Sequence, residues 1–254
     1  MAKNSKIGWT HHSWNPHWGC HKVTPECDHC YIEAIMRRGG YEPFGGPMKT
    51  KTWSQPFAWD RAARTLCERH RVFTCSMSDF FHQGADEWRA DAWKVIKACE
   101  NLDWLILTKR PHLVADRLPA DWGEGYENVW LGVTVGCSQS LYRLPILKEI
   151  PAKVKFVSAE PLLERMDFRE HLGWIDWVIT GCERAAKGDR RAMEMDWVRD
   201  IDQQCESAGK AHYFKQAYPT DDKGREYGVP CEEPKLDGKL VQEFPTRRVA
   251  LETV

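Results

Sequence analysis

Several common functional classes are made unlikely by what the chain lacks. No apolar run approaches the roughly 20 residues that cross a bilayer, and no secretory leader is visible, so no membrane partner and a cytoplasmic setting are expected. There is no G-x-G-x-x-G fingerprint and no P-loop, which weakens a nucleotide-binding, doubly wound reading. His-Glu-x-x-His is absent and no general base stands out, which ranks a zinc hydrolase last. Neither sign of charge dominates: 36 Lys and Arg against 37 Asp and Glu leave a formal net charge of -1. Nothing global therefore marks a polycation that binds nucleic acid without specificity. A second Cys-x2-Cys pair is also missing, so one metal centre at most is expected. No internal repeat or low-complexity segment is seen. At 254 residues with 42% hydrophobic content, the chain can bury one sizeable core.

What is present concentrates near the start. Trp14-Asn15-Pro16-His17-Trp18-Gly19-Cys20 leads into Cys27-Asp28-His29-Cys30-Tyr31, giving three cysteines with spacing Cys-x6-Cys-x2-Cys. The proline and glycine before Cys20 make this a loop, and a short helical pattern follows Cys30. Three thiolates on one loop can hold a metal centre and leave a coordination position open. Disulfides fit poorly, because three is an odd number and the ten cysteines suit a reducing compartment. A structural zinc site with His17, His21 or another histidine as fourth ligand and an iron–sulfur cluster both remain open. His11, His12, His17 and His21 flank the loop and are expected to hydrogen-bond it.

The rest of the chain has a steady rhythm. Short apolar strands are expected near residues 7–14, 71–75, 103–107, 129–133, 154–157, 177–179 and 211–214. Helices are expected over 57–69, with Phe57, Ala58, Arg61, Ala62, Thr65 and Leu66 on the apolar side, and over 85–100, 140–150 and 195–208. Strands alternating with amphipathic helices imply an α/β fold: a partial or nearly closed parallel βα (TIM-like) barrel of six or seven strands. An open doubly wound sheet has the same rhythm. Residues 1–217 are read as the barrel domain and 218–254 as a C-terminal cap packed on it, with a turn at Asp237-Gly238-Lys239. Each strand ends in a polar tip: Ser76-Met77-Ser78-Asp79, Lys109-Arg110, Thr134, Ser158-Ala159-Glu160, Gly181-Cys182-Glu183 and Lys215. In a βα barrel those tips and the cysteine loop share one face. Cys75, Cys137 and Cys182, also at tips, are expected to be small buried thiols.

Cys27-Asp28-His29-Cys30 resembles the second half of the radical S-adenosylmethionine (radical SAM) cluster motif, with His29 in its aromatic place; the first spacing is six residues where three is common. The whole chain resembles a phage-associated group of three-cysteine proteins through Trp14 to Cys30, Ser76-Met77-Ser78-Asp79, Leu107-Thr108-Lys109-Arg110-Pro111, Gly132-Val133-Thr134, Ser158-Ala159-Glu160-Pro161, Gly181-Cys182-Glu183 and Phe214-Lys215-Gln216. The resemblance implies a 4Fe–4S cluster on Cys20, Cys27 and Cys30. It implies S-adenosyl-L-methionine as cosubstrate, cleaved reductively to a 5′-deoxyadenosyl radical that abstracts hydrogen from substrate. A flavodoxin- or ferredoxin-type reductant would supply the electron. Ser76 or Asp79 would replace the superfamily's Gly-Gly-Glu contact to the SAM amine. Thr134, Ser158 or Glu160 would meet the ribose, Gly181 the adenine, and Glu183 cofactor or substrate. Lys109, Arg110 and Lys215 would receive the SAM carboxylate or a substrate phosphate. The phage setting points to a DNA or nucleotide substrate, such as an aminoacylated thymine, in a phage or prophage protein of a bacterial host. The short basic runs Lys49-Thr50-Lys51, Arg190-Arg191 and Arg247-Arg248 lend it slight support. A non-enzymatic zinc-stabilised module that binds nucleic acid or protein is the alternative. Oligomeric state is left open.

Overall fold

The computed structural model describes residue 5 and residues 7–185, 188–220 and 226–246. Its elements in chain order are β1 (His12–Trp14), β2 (His17–Trp18), α1 (Ile32–Arg38), β3 (Met48–Lys49), α2 (Gln55–Leu66), β4 (His70–Thr74), α3 (Asp86–Ala98), β5 (Leu102–Thr108), β6 (Val129–Thr134), α4 (Arg143–Glu149), β7 (Val154–Ala159), β8 (Trp177–Gly181), α5 (Met195–Ala208), β9 (Ala211–Gln216), β10 (Lys235–Leu236) and β11 (Lys239–Leu240). The stretch after β5 forms two 3-10 turns, Pro111–Leu113 and Ala115–Arg117.

Seven strands form one sheet in the order β1-β4-β5-β6-β7-β8-β9, and every neighbouring pair is parallel. The order never reverses. A doubly wound sheet needs a reversal, because parallel crossovers share one hand and only a change of direction puts helices on both faces. The side chains agree. Val72, Trp104, Ile106, Leu131, Val157, Val178 and Phe214 pack in one cluster with Ala63, Ile96, Leu147 and Ile201 of the helices. The alternate residues Phe73, Leu105, Trp130, Phe156, Trp177, Ile179 and Tyr213 form a second cluster without any residue of α1–α5. The sheet is thus a curled half-barrel with helices outside and an aromatic-filled concave side.

The helix faces follow burial more closely than simple apolarity. In α2 the buried residues are Pro56, Trp59, Asp60 and Ala63, whereas Phe57 and Leu66 are exposed. This corrects the expected face. Trp59 stacks on His12 at 4.5 Å, and Asp60 accepts the Asn101 amide at 2.8 Å, so these contacts set the helix's rotation. In α3, Trp93 is buried and Trp88 only partly so. Val198, Ile201 and Cys205 of α5 face the core as their spacing predicts.

Residues 235–244 pack along one edge of the sheet and against its core. Phe214 donates its amide to Val241 at 2.8 Å and Glu243 to His212 at 2.9 Å, so residues 241–243 run antiparallel along the edge of β9. Leu236 is buried in the main core. The β10–β11 hairpin turns on Asp237-Gly238, both with positive φ (50° and 84°), the pairing that a two-residue hairpin turn needs. Beneath the concave side, Phe244 packs on Tyr213 and Trp177 with centroids 5.4 Å apart in each case. The Arg71 guanidinium lies 3.9 Å above the Phe244 ring and donates to the Trp9 carbonyl at 3.0 Å. Strand residues and the chain's last described segment therefore plug the N-terminal end of the half-barrel.

Candidate active site at the strand tips

From Trp14 the chain crosses the C-terminal ends of the strands, and it is fastened at each step. The Asn15 carboxamide donates to Ser76 Oγ at 3.0 Å and accepts the Met77 amide at 2.8 Å. The Gly19 amide donates to the Met77 carbonyl at 3.0 Å, the Gly19 carbonyl accepts from Ser78 Oγ, and His17 Nδ1 lies 2.9 Å from Ser78 Oγ. Gly19 has φ +90°, and a Cβ there would sit 2.2 Å from the Gly46 carbonyl oxygen. Only glycine suits both conditions. The Ser76-Met77-Ser78 tip is thus the dock on which the cysteine loop rests. Tyr31, just after the third cysteine, reaches back to donate its hydroxyl to the Ser76 carbonyl.

Cys20 sits against a buried charge network. Arg110 is 6% exposed. Its Nη1 lies 3.6 Å from Cys20 Sγ and 3.3 Å from Asp79 Oδ2, and Nη2 donates to the His21 carbonyl at 2.8 Å. Asp79 accepts in addition from Thr108 Oγ1 at 2.8 Å, the Lys109 amide at 2.9 Å and the Phe81 amide at 3.0 Å. Burial works against the Asp79 charge. Arg110, the Lys109 and Phe81 amides and Thr108 outweigh it, and the pKa is lowered. Burial pushes the Cys20 thiol up to about 11, with Asp79 adding to the shift and Arg110 opposing it. Burial also raises Cys30.

The segment before Cys27 is pinned from the other side. Glu26 Oε1 meets Arg143 Nη1 at 3.2 Å, with no side-chain exposure on either, and accepts the Gly136 amide at 3.3 Å. Arg143 also donates to the Thr134 carbonyl and to Thr24 Oγ1, both at 2.7 Å. His29 Nδ1 lies 3.0 Å from Glu183 Oε2. Arg191 binds the same carboxylate, the Pro25 carbonyl at 2.8 Å and Asp28 at 3.4 Å. The loop is therefore bolted to the tips of β4, β5, β6 and β8. All three of its cysteines are free thiols. Among the described residues, no three His, Cys, Asp or Glu side chains are yet drawn together as a ready-made metal site.

Strand alternation then gives a column of residues above the aromatic fill. Continuing the face of Leu105, Trp130, Phe156, Trp177 and Tyr213, it comprises Lys109, Thr134, Ser158, Glu160, Gly181 and Lys215. Thr134 and Ser158 are register partners on adjacent strands. Their hydroxyl oxygens are buried without a hydrogen-bond partner. Such a group costs about 1–3 kcal/mol, so a pair side by side marks a place built for something polar. Lys215 and Glu160 form an ion pair between the β9 and β7 tips. A Cβ on Gly181 would lie 3.1 Å from Gln216 and 3.4 Å from Glu160, so the glycine lets those two side chains pack against the strand.

These contacts reassign several sequence expectations. Asp79 and Arg110 are committed to each other and to the loop, leaving little for a ligand, and the Ser76 hydroxyl is held by Asn15. Glu183 is fixed by His29 and Arg191. Among the basic runs, Arg191 is a strut, Arg190 stacks 3.2 Å above the Tyr218 ring, and Arg247-Arg248 lie outside the described residues. Only His17 and His21 of the four flanking histidines belong to the loop's surroundings; His21 Nδ1 lies 2.8 Å from His82 Nε2. His11 and His12 instead pack around His70. Burial and nearby Arg89 hold His17 at about 3, and burial, Arg110 and His21 hold His82 at about 4, so both are neutral at physiological pH. Cys75, Cys137 and Cys182 are buried thiols. Sequence reasoning missed Glu26 and Arg143, although an acid set between a proline and a cysteine of the loop was a signal.

Comparison with known proteins adds the following. Three solved structures of spore photoproduct lyase are similar in part. One, a mutant with bound AdoMet and dinucleoside spore photoproduct, has a TM-score of 0.47 and 13% identity over 89% of this chain and 69% of that one. A second mutant gives 0.46 and 13% over the same shares. The complex with dinucleoside spore photoproduct gives 0.46 and 14%, again over 89% and 69%. No curated protein matches the sequence. The match that assigns the chain runs over residues 4–245, and on it the chain belongs to the family described as protein of unknown function, DUF5131.

Proposed function

We propose that this protein is a radical SAM enzyme whose cluster is held by Cys20, Cys27 and Cys30. The observation that carries the proposal is the three-thiol loop bolted across the C-terminal mouth of a parallel half-barrel, with two orphaned hydroxyls on the concave wall. The donor set fits a 4Fe–4S cluster: three sulfur atoms on one loop, none in a disulfide. When bound, the cluster and S-adenosylmethionine supply the reductive cleavage that yields a 5′-deoxyadenosyl radical able to take hydrogen from substrate.

The chain's own residues orient and enclose. Thr134 and Ser158 offer their unpartnered hydroxyls to the ribose. Gly181, whose missing side chain gives its space to Gln216 and Glu160, lies beside the Lys215–Glu160 pair on that wall and would meet the adenine through its backbone. Asp79, through the Lys109 amide, places the Lys109 side chain at the mouth, where it can receive a carboxylate. Glu183 holds His29, and with it the stretch between Cys27 and Cys30. For substrate we carry forward a base in DNA, supported by the phage setting of the resemblance and by exposed Lys49 and Lys51 near Trp53. A flavodoxin- or ferredoxin-type protein in a bacterial cytoplasm would be the electron donor. No helix of the described residues is long and apolar enough to cross a membrane.

The test is anaerobic reconstitution with iron and sulfide, followed by a dithionite-driven SAM-cleavage assay read as 5′-deoxyadenosine. Formation that disappears in Cys20→Ala, Cys27→Ala and Cys30→Ala supports the proposal. A colourless protein carrying one zinc and cleaving no SAM would return the loop to a structural clip.

A further inference from the structure

Arg110 stands at a strand tip where a cation would ordinarily greet an anionic ligand, yet its guanidinium turns inward. It is 6% exposed and touches Asp79, the His21 carbonyl and Cys20 Sγ. Its backbone is fixed as well, since the Arg110 amide donates to Thr108 Oγ1 at 2.9 Å and that hydroxyl donates to Asp79. Asp79 therefore holds the guanidinium in one position while four partners saturate the carboxylate. A guanidinium keeps its positive charge even when buried, so the group beside Cys20 is a cation.

We propose that Arg110 is a tuning residue for the metal centre: a fixed, buried cation whose N–H donates to the sulfur of Cys20 and raises the reduction potential of the cluster. Hydrogen bonds and positive charge at a ligating sulfur stabilise the more negative, reduced state. The proposal rests on the reading of the loop as a cluster site. It also separates the adjacent cations Lys109 and Arg110, giving the first to the mouth and the second to the thiolate.

The experiment is an EPR-monitored redox titration of the reconstituted full-length protein and three variants. Arg110→Gln removes the charge and is expected to lower the equilibrium constant for one-electron reduction about tenfold, a shift of about 59 mV to more negative potential. Arg110→Lys keeps the charge without the planar fork and is expected to shift less in the same direction. Lys94→Gln removes an exposed cation of α3, one paired with Asp91 at 2.8 Å and away from the loop, and is expected to leave the potential unchanged. Unchanged potentials in both Arg110 variants, or an equal shift in Lys94→Gln, would overturn the proposal. If Arg110→Gln takes up no cluster, Arg110→Lys decides by the same criterion. Loss of the cluster in both with wild-type melting temperatures supports a role at Cys20, and loss with unfolding counts against it. A wild-type protein that takes up no cluster refutes the reading of the loop, a different failure from an unmoved potential.

Discussion

Glu26 and Arg143 meet at 3.2 Å with neither side chain exposed, although 117 positions separate them. The pair joins the residue before Cys27 to the helix after β6, and Arg143 continues to the carbonyl of Thr134. One contact thus couples the thiol loop to the wall that carries the unpartnered hydroxyls. Removing one partner of a buried pair strands the other charge, at about 3–5 kcal/mol. Glu26→Gln and Arg143→Met should each lower stability by roughly that amount in urea titrations. The double variant Glu26→Gln/Arg143→Met should cost clearly less than the sum of the singles, which a double-mutant cycle reads directly.

The orphaned hydroxyls predict effects of opposite sign on stability and on binding. Ser158→Ala and Thr134→Val delete buried polar atoms without partners. Each should leave the ligand-free protein as stable or more so, by about 1 kcal/mol, and weaken SAM binding about tenfold. Melting temperatures and calorimetric titration check the two halves separately. A loss of ligand-free stability would mean that the hydroxyls have partners of their own.

Acid should unlatch the tip at Asp79. Its pKa is depressed from the ordinary 3.8, so its contribution is fully present above that value and is lost as pH falls through the lower folded-state value. Asp79→Asn should remove about 3 kcal/mol at neutral pH, and the variant should lose less further stability than wild type on acidification through that window. Urea midpoints measured from neutral pH down to the acid limit of folding test this.

Close packing beneath the loop predicts an intolerant glycine. A Cβ at Gly136 would lie 1.8 Å from the Pro161 carbonyl oxygen, whereas one at Gly173 meets nothing within 4 Å. Gly136→Ala should destabilise by about 3 kcal/mol, because backbone rather than a side chain must give way. Gly173→Ala should stay within about 0.5 kcal/mol. Equal melting points for the two would contradict the approach of residues 136 and 161.

Much of the architecture was legible in the sequence because fully buried parallel strands are written as short apolar runs. Leu105-Ile106-Leu107 and Trp177-Val178-Ile179 need no long-range information. The direction of curling was not legible, since strand order belongs to pairings between distant segments. The face of α2 was misread for a related reason: Trp59 and Asp60 are turned inward by His12 and Asn101, which periodicity cannot see. At the candidate site, the strand tips and cysteines announced themselves by position. Which tips hold the loop and which face the interior depends on counting acceptor contacts. Asp79 has four and Ser158 none, and nothing in their neighbours' identities says so.

The aromatic plug under the concave side, with Phe244 beneath Tyr213 and Trp177 and Arg71 laid across it, has a consequence for traffic. The N-terminal end of the half-barrel is thereby stopped up by side chains, so under the proposed function a ligand would reach the wall of Thr134 and Ser158 from the rim that carries the cysteine loop.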